Sequence, residues 1–530
     1  MATVYRIHPS IGIARLGTSQ EYFVGPEMPG IAPQDEFRDG SPSRLLKRQA
    51  ARFRIFAHDD SVPDDEGRDV TNDPSIRQIT WTVELANKKA SWFKFDGRKG
   101  EGPQGYPAGH EQRNQGVVNN RRSLEIHPGP RNLTGANGRQ EFRRGTSVGF
   151  PEQFPPVFAD GRRIETLGEI RTDSVRRLEV IGGFGISGSP NNAPIPEYAN
   201  NDDWFDDTSD GSVTALLTLE DGSTVDAVPS WVIVGPPDFA PELANIVTMH
   251  DVLYDLGLRH FAYDESIFSG GAYRPDYRPS FTNDVYPILK RAYDYRWVYS
   301  EIRRKHDKLI NFTALTKPPS QASDHQKIIE ILRNPNIQED LADVDKMPML
   351  YGDDGDSEDN PSRLALTKTQ YEIMRLWSIG QFVNDWPGQP PTPLAVITAE
   401  GLDRASMESC VGGAFFPGIE AGWILRDPRI FLTAFRLNHA AEPNGVTAGD
   451  VTKRSALPWQ ADFLDCRDIW WPAQRPNDAF VPAENKMSRW ARGVSGHADM
   501  VTKWSQLGLV RNRGSGTNPD FVEIDRTLVP

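Results

Sequence analysis

The sequence predicts an α+β fold with a β-rich N-terminal domain over residues 1–240 and a mixed α/β domain over 241–530. Gly and Pro account for 45 and 42 of the 530 residues, an excess that predicts many turns and long connections. Apolar residues alternate with polar ones before residue 240 and recur at helical spacing after it. This change in the spacing of apolar residues places the boundary between the two parts near residue 240.

Strand patterns recur through the N-terminal part. Apolar and polar residues alternate over Ile79–Leu85, and Arg177–Ile181 is also strand-like. Val213–Leu219 ends at a turn over Glu220–Ser223, after which a further strand pattern begins. Stretches rich in Gly, Pro and Asn are predicted to be long loops, a type that is often functional or interfacial. These loops span 97–116 and 187–203.

Helical spacing dominates after residue 240. Four segments carry apolar residues three and four positions apart, which predicts amphipathic helices. They are Pro241–Leu256, Asp284–Tyr299, Asp324–Arg333 and Thr367–Phe382. The acidic segment Tyr351–Asp359 is predicted to be a solvated loop, and a mixed region rich in Trp and Pro follows residue 400.

Charge and composition exclude several classes of function. The formal net charge of −14 offers no basic footprint for a nucleic acid. No apolar run approaches the ~18 residues of a spanning helix, so no membrane partner is expected. Two cysteines cannot form a disulfide scaffold. The N-terminus has no basic-then-apolar leader. These features predict a soluble cytoplasmic protein, with non-classical export left open.

Two motifs favour structural interpretations. Gly183–Gly188 fits G-x-G-x-x-G, but Pro190, Pro194 and Pro196 follow it where a dinucleotide site needs a helix. A loop is therefore the expected structure. The acidic cluster from Asp202 to Asp210 lacks the Glu that closes an EF-hand loop. We expect a solvated turn there rather than a Ca²⁺ site. No H-E-x-x-H or C-x₂-C spacing occurs, so the sequence predicts no metal ligands.

The C-terminal region places chemically reactive residues together. Cys466 lies four and five residues before Trp470 and Trp471, and Asp462 precedes it by four. One interpretation is a buried cysteine beside core aromatic residues. The other is a thioether crosslink to an oxidised indole ring, which requires a base such as Asp to accept protons. Spacing alone does not choose between them.

Blocks along nearly the whole chain resemble the cysteine tryptophylquinone amino-acid oxidases, typified by L-lysine ε-oxidase and glycine oxidase. The blocks are Tyr5–Gly17, Tyr22–Glu27, Lys47–Arg54, Leu85–Ala90, Trp204–Gly211, Cys410–Glu420, D-x-x-x-C followed by W-W-P-x-x-R-P, and Met500–Gly508. In that family the cofactor forms from a Cys and a Trp of the chain itself, and an Asp four residues before the Cys assists.

The resemblance assigns roles to individual residues. It implies that Asp462 and Cys466 form the cofactor pair, because Cys410 has Ser406 at the equivalent position. Trp471 is the favoured partner, since Pro472 fixes the backbone near the thiol. Trp470 is next, followed by Trp490 and Trp504. Asp462 is the candidate catalytic base. His497 is a candidate for substrate contact, against the alternative of a surface histidine.

The implied activity is oxidative deamination of a primary amine of an amino acid or peptide, with O₂ as acceptor and H₂O₂ and ammonia as products. The family also implies a flavoprotein maturation partner and a homodimer or larger assembly. Two alternatives stay open. One is a quinone-dependent amine dehydrogenase that passes electrons to a protein acceptor, and the other is a catalytically inactive binding or scaffold member.

Overall fold

A computed structural model describes most of the chain. The described residues are 3–33, 36–62, 65–94, 111–306, 312–317, 323–350, 363–393, 395–412, 423–465, 474–515 and 518–528. The predicted acidic loop Tyr351–Asp359 and most of the predicted loop 97–116 lie outside these ranges.

One mixed sheet of thirteen strands dominates the N-terminal part. Its strands are β1 (Thr3–His8), β2 (Ile11–Arg15), β3 (Tyr22–Val24), β4 (Arg48–Asp59), β5 (Arg68–Asp69), β6 (Ile76–Val83), β7 (Arg131–Thr134), β8 (Arg139–Arg143), β9 (Thr166–Thr172), β10 (Leu178–Gly182), β13 (Ser209–Leu219), β14 (Thr224–Asp226) and β15 (Ser230–Gly235).

The main path of the sheet runs β7-β6-β13-β15-β2-β4-β10-β9-β8, with β1, β3 and β5 on β4 and β14 on β13. Neighbouring strands are antiparallel except for two parallel pairs, β2 with β15 and β3 with β4. The two ends of the path meet, because Arg131 of β7 donates a hydrogen bond to the carbonyl oxygen of Glu141 in β8 at 2.7 Å. The sheet is therefore nearly closed.

The strand predictions are confirmed. Ile79–Leu85 falls on β6, Arg177–Ile181 on β10 and Val213–Leu219 on β13. The central strand β15 is buried at all six positions, and its Trp-Val-Ile-Val run suits a strand covered on both faces.

Helices dominate the rest of the chain and confirm the α+β class. They are α1 (Met249–Phe261), α2 (Tyr286–Asp294), α3 (Ser300–His306), α4 (Phe312–Leu315), α5 (Ser323–Ile331), α6 (Gln338–Ala342), α7 (Lys368–Ser378), α8 (Ala399–Glu408), α9 (Trp459–Asp465) and α10 (His497–Lys503). Within the described ranges, five two-stranded antiparallel sheets complete the fold. They pair β11 (Ser187–Gly188) with β12 (Phe205–Asp206), β16 (Phe268–Ser269) with β17 (Ala272–Tyr273), β18 (Phe431–Thr433) with β19 (Arg436–Leu437), β20 (Asp478–Val481) with β21 (Lys486–Arg489), and β22 (Leu509–Asn512) with β23 (Phe521–Ile524).

The predicted start of the first helix at Pro241 is wrong. Helix α1 begins at Met249, because the side chain of Thr248 accepts the N–H of Asp251 while the Asp251 side chain accepts the N–H of Thr248. This reciprocal capping box fixes the helix terminus. No helix in the described ranges is long and apolar enough to cross a membrane.

Hydrogen bonds join the C-terminal elements to the large sheet. The N–H of Ser10 donates to Asp403 on α8 at 2.6 Å, and Arg15 on β2 donates to the carbonyl oxygen of Ser409 at 2.6 Å. The sheet therefore serves as the platform on which the helical part is built.

Candidate active site

Helix α9 carries the predicted acid and ends directly before Cys466. Its first residue, Trp459, donates its backbone N–H to Asp206 at 3.1 Å. The side chain of Gln460 accepts from the Ser187 hydroxyl at 2.7 Å and donates to the carbonyl oxygen of Gly185 at 3.3 Å. The helix is thus anchored to residues of the β-rich part.

Asp462 lies at the centre of this buried helix. Only 2% of its surface is exposed, although a carboxyl group is rarely buried without compensation. Cys466, Trp470 and Trp471 lie in the segment 466–473, outside the described residues. The described part of the site consists of α9 and the residues that flank this segment.

Arg475 joins the two flanks of the segment 466–473. Its buried guanidinium donates to the carbonyl oxygens of Phe463 and Leu464 at the end of α9, the latter at 3.3 Å. It also donates to the carbonyl oxygen of Pro476 at 3.0 Å and to the side chain of Asn477 at 3.2 Å. The chain therefore leaves α9 and returns to it at neighbouring points.

An Arg475→Lys variant is expected to separate these flanks. Lysine lacks the planar fork that reaches several acceptors at once, and each buried carbonyl left without a donor costs about 1–3 kcal/mol. We expect a lower urea midpoint and a lower fraction of crosslinked chain in intact-mass spectra. Arg489→Lys, on the surface hairpin, is the control. Unchanged crosslinking in Arg475→Lys would show that the hydrogen bonds of Arg475 are not needed for the crosslink.

His497 begins α10, which packs against α9. Its Nε2 faces Asp465 at 2.7 Å and its Nδ1 faces the carbonyl oxygen of Ile195 at 3.1 Å. The hydrogen bond with Asp465 raises the pKa of His497 above its ordinary value. The residue is half-buried and paired beside the end of α9, so the description as a plain surface histidine is incomplete.

The His497–Asp465 pair is expected to stabilise the protein only at mildly acidic pH. Because folding raises the histidine pKa, the contribution is present below pH 6.5 and disappears as pH rises through the raised value. A partly exposed pair contributes about 0.5 kcal/mol. Urea unfolding at about pH 5.5 and about pH 8 measures the effect in wild type and His497→Gln. Asp465→Asn should lower the free energy of unfolding at the acidic pH by the same amount, and the double variant should lose no more than either single variant. If the difference in stability between wild type and His497→Gln is the same at both pH values, the proposed effect of the pair is contradicted.

Trp490 and Trp504 lie within the described residues and differ in their surroundings. Trp504 packs edge-on against Trp459 of α9, with ring centroids 5.1 Å apart. Gly185 lies so close to the Trp504 ring that a Cβ atom there would be 2.2 Å from Cζ2. Trp490 instead donates to the carbonyl oxygen of Gly508 at 2.7 Å and is fully buried. Both tryptophans contact α9, since Trp490 packs edge-on against Phe463 with ring centroids 6.1 Å apart.

The loop predicted over Gly183–Gly188 is confirmed, and its glycines allow close approach. No helix begins there; Ser187–Gly188 forms the short strand β11. A Cβ at Gly183 would lie 2.5 Å from the Asp207 carboxylate. Gly185 has a φ of +70°, a left-handed conformation that glycine adopts without strain.

The predicted solvated turn holds for Asp202 and Asp203, which form a turn with Asp202 exposed, and is wrong for the rest of the acidic cluster. Asp206, Asp207 and Asp210 are at most 1% exposed. Asp210 accepts the indole N–H of Trp231 at 3.1 Å and the backbone N–H of Thr452 at 2.7 Å. Burial raises the pKa of Asp207 to about 7 and that of Asp210 to about 6. Within the described ranges, no group of three His, Cys, Asp or Glu side chains could hold a metal ion.

Cys410 lies apart from α9. It is fully buried in an apolar cluster with Ile11, Trp231 and Met249. Its surroundings are those of a structural cysteine.

Comparisons with known proteins cover almost the whole chain. Residues 8–234 match the family model L-Lysine epsilon oxidase N-terminal, and residues 348–490 match the L-lysine epsilon oxidase C-terminal domain. The L-lysine 6-oxidase of Marinomonas mediterranea is 27% identical, with 98% of this chain and 89% of the relative covered.

Solved structures agree with the sequence comparisons. The L-Lys epsilon-oxidase from Marinomonas mediterranea superposes with a TM-score of 0.85 at 26% identity, covering 99% of this chain and 95% of that one. A further structure of the epsilon-lysine oxidase from the same organism gives a TM-score of 0.86 at the same identity and coverage. The fold and these likenesses define an amino-acid oxidase. Within that class, the chain belongs to the L-lysine ε-oxidase family.

Proposed function

We propose that this oxidase deaminates a primary amine of an amino acid or peptide with a cysteine tryptophylquinone formed from Cys466. Trp471 is the first choice for the tryptophan and Trp470 the second. The observation that carries the proposal is Asp462, a carboxyl group buried on α9 one turn before Cys466. The chain belongs to a family of amino-acid oxidases, and in such an enzyme a buried carboxylate can act as the base that accepts protons.

The residues present fit this cofactor. A thiol, an indole and a carboxyl group that accepts protons are the components that the crosslink requires. Arg475 supports the fit, because it holds together the two flanks of the segment that contains Cys466, Trp470 and Trp471. Among the described tryptophans, Trp490 and then Trp504 are the further candidates, and both pack on α9.

When formed, a tryptophylquinone supplies an electrophilic carbonyl for the amine and a place to hold two electrons before O₂ accepts them. The balanced reaction converts amine, O₂ and water into a carbonyl compound, ammonia and H₂O₂. Asp462 accepts the proton released from the carbon that bears the amine, which is general base catalysis. The burial of α9 keeps bulk water from this carboxylate. His497, the first residue of α10, lies beside Asp465 at the end of α9 and contributes a positive charge there in its imidazolium form.

Further partners are proposed from the same family. A separate flavoprotein completes the quinone, and the protein assembles as a homodimer or larger oligomer in the cytoplasm. Size-exclusion chromatography with light scattering measures the assembly. Co-expression with and without the flavoprotein tests the maturation step.

Oxygen uptake by the matured protein tests the function. Glycine, lysine and peptide amines are supplied in an oxygen electrode, with and without catalase, and without NAD or added metal. We expect amine-dependent O₂ uptake that catalase partly reverses, and inhibition by phenylhydrazine, which captures a reactive carbonyl. Turnover only with an artificial electron acceptor would indicate a dehydrogenase. No turnover with either acceptor would indicate a binding or scaffold protein.

A further inference from the structure

Lys89 is a buried cation next to α9. Its side chain is 1% exposed, and its ammonium group donates to the Asp206 carboxylate at 2.8 Å and to the carbonyl oxygen of Ala456 at 2.9 Å. Burial lowers the pKa of Lys89, and the charge of Asp206 opposes that effect. An ammonium this deep in a protein persists only beside compensating groups.

Asp206, the partner of Lys89, accepts four hydrogen bonds. One oxygen of Asp206 accepts from Asn87 at 2.9 Å and from Thr208 at 2.8 Å. The other accepts from Lys89 and from the backbone N–H of Trp459. Lys89 and Asp206 therefore form an ion pair that also fixes the first residue of α9.

The ammonium of Lys89 also acts on Asp462. The Asp206 oxygen that accepts from Lys89 at 2.8 Å also accepts the N–H of Trp459 at 3.1 Å, and Asp462 lies three residues further along the same helix. The ammonium therefore lies at the end of α9 that carries Asp462. In line with this placement, the charge of Asp462 raises the pKa of Lys89, while that of Arg113 lowers it. Electrostatic interaction is mutual, so the ammonium stabilises the carboxylate of Asp462 as much as that carboxylate stabilises the ammonium. Such an interaction is strong in a buried site, where water screens it weakly.

We propose that Lys89 is a positioning residue that holds Asp462 in the ionised form able to accept a proton. The inference rests on the function proposed above. During the step the proton moves to the Asp462 carboxylate, while Lys89 keeps its own protons. Without a neighbouring cation a buried carboxyl group takes up a proton from solution, and it then cannot act as a base.

The test is the double variant Lys89→Met/Asp206→Asn. It removes the ion pair as a unit, which is often neutral for stability, and the amide oxygen introduced at position 206 still accepts the N–H of Trp459. We expect a urea midpoint near that of wild type. Quinone absorbance per chain, or kcat per quinone with KM unchanged, should fall by about tenfold or more.

Two further variants separate charge from packing. Asp206→Asn alone leaves the ammonium beside Asp462 and should lose less than the double variant. Lys453→Met removes another buried lysine, which pairs with Glu442 at 2.8 Å and Asp450 at 3.0 Å, and should keep wild-type quinone content.

Each remaining outcome contradicts the inference. Wild-type quinone content and kcat in the double variant would show that the ion pair has only a structural role. If the double variant is unfolded while Asp206→Asn and Lys453→Met are folded, Lys89 is needed for folding rather than for the ionisation of Asp462. Equal losses in Asp206→Asn and the double variant would implicate Asp206 instead. Matured wild-type protein without a quinone would refute the proposed function, and this inference with it.

Discussion

Asp462→Asn is expected to fold and to lack both quinone absorbance and amine-dependent turnover. The substitution preserves the shape of the buried side chain but removes its ability to accept a proton. A general base contributes about 10²–10⁴ in rate, so the rate of O₂ uptake should fall by about 10² or more. Absorbance spectra and an oxygen electrode measure the two losses, and urea unfolding checks that the protein is folded.

Asp499→Asn is the matched control for this variant. Asp499 lies on α10, the helix that packs against α9, and pairs on the surface with Lys503 at 2.8 Å. Removing that exposed pair should change stability by at most about 1 kcal/mol and leave quinone content intact. Normal quinone content and turnover in Asp462→Asn would transfer both roles of Asp462 to another residue.

Replacing the two cysteines should have opposite consequences for the cofactor. Cys466→Ser should abolish the thioether, the quinone absorbance and turnover, because a hydroxyl group is a far weaker nucleophile than a thiolate. Cys410→Ser should retain the crosslink, since Cys410 lies in an apolar cluster away from α9. It should nevertheless destabilise the protein by about 1–3 kcal/mol by burying a hydroxyl group. Loss of the crosslink in Cys410→Ser alone would reverse the assignment of the cysteines.

Local patterns predicted those elements whose formation depends on neighbouring residues. The strands β6 and β13 follow from alternation, and the loop at Gly183–Gly188 follows from the prolines after it. The start of α1 depends on the hydrogen bonds between Thr248 and Asp251. Apolar spacing alone does not reveal such a cap.

Contacts between distant parts of the chain account for two features that local patterns did not predict, the burial of Asp210 and the pairing of Lys89 with Asp206. Buried Asp210 accepts hydrogen bonds from Trp231 on the neighbouring strand β15 and from Thr452, which is 242 residues away along the chain. Lys89 and Asp206 both lie in blocks that resemble the oxidase family, yet only the fold brings them together and places them at the start of α9. The D-x-x-x-C spacing points to Asp462 in the sequence, and its role in the site stays a prediction. The division into domains at residue 240 and the tryptophan partner of Cys466 remain predictions.

Peptide mapping of the matured protein assigns the tryptophan. Trypsin cleaves after Arg467, so Cys466 and the pair Trp470–Trp471 fall in different peptides. Cleavage after Arg489 and Lys503 places Trp490 and Trp504 in two others. We expect the Cys466 peptide to be joined to the peptide that begins at Asp468, with fragmentation locating the bond at Trp471.

The intact mass of the matured protein tests the central claim most directly. A cysteine tryptophylquinone adds two oxygen atoms and removes four hydrogen atoms, two for the thioether and two for the dione. We predict this difference between wild type and its encoded mass, and no such difference in Cys466→Ser produced in the same way. Wild-type protein that consumes O₂ with an amine but has its encoded mass would contradict the account.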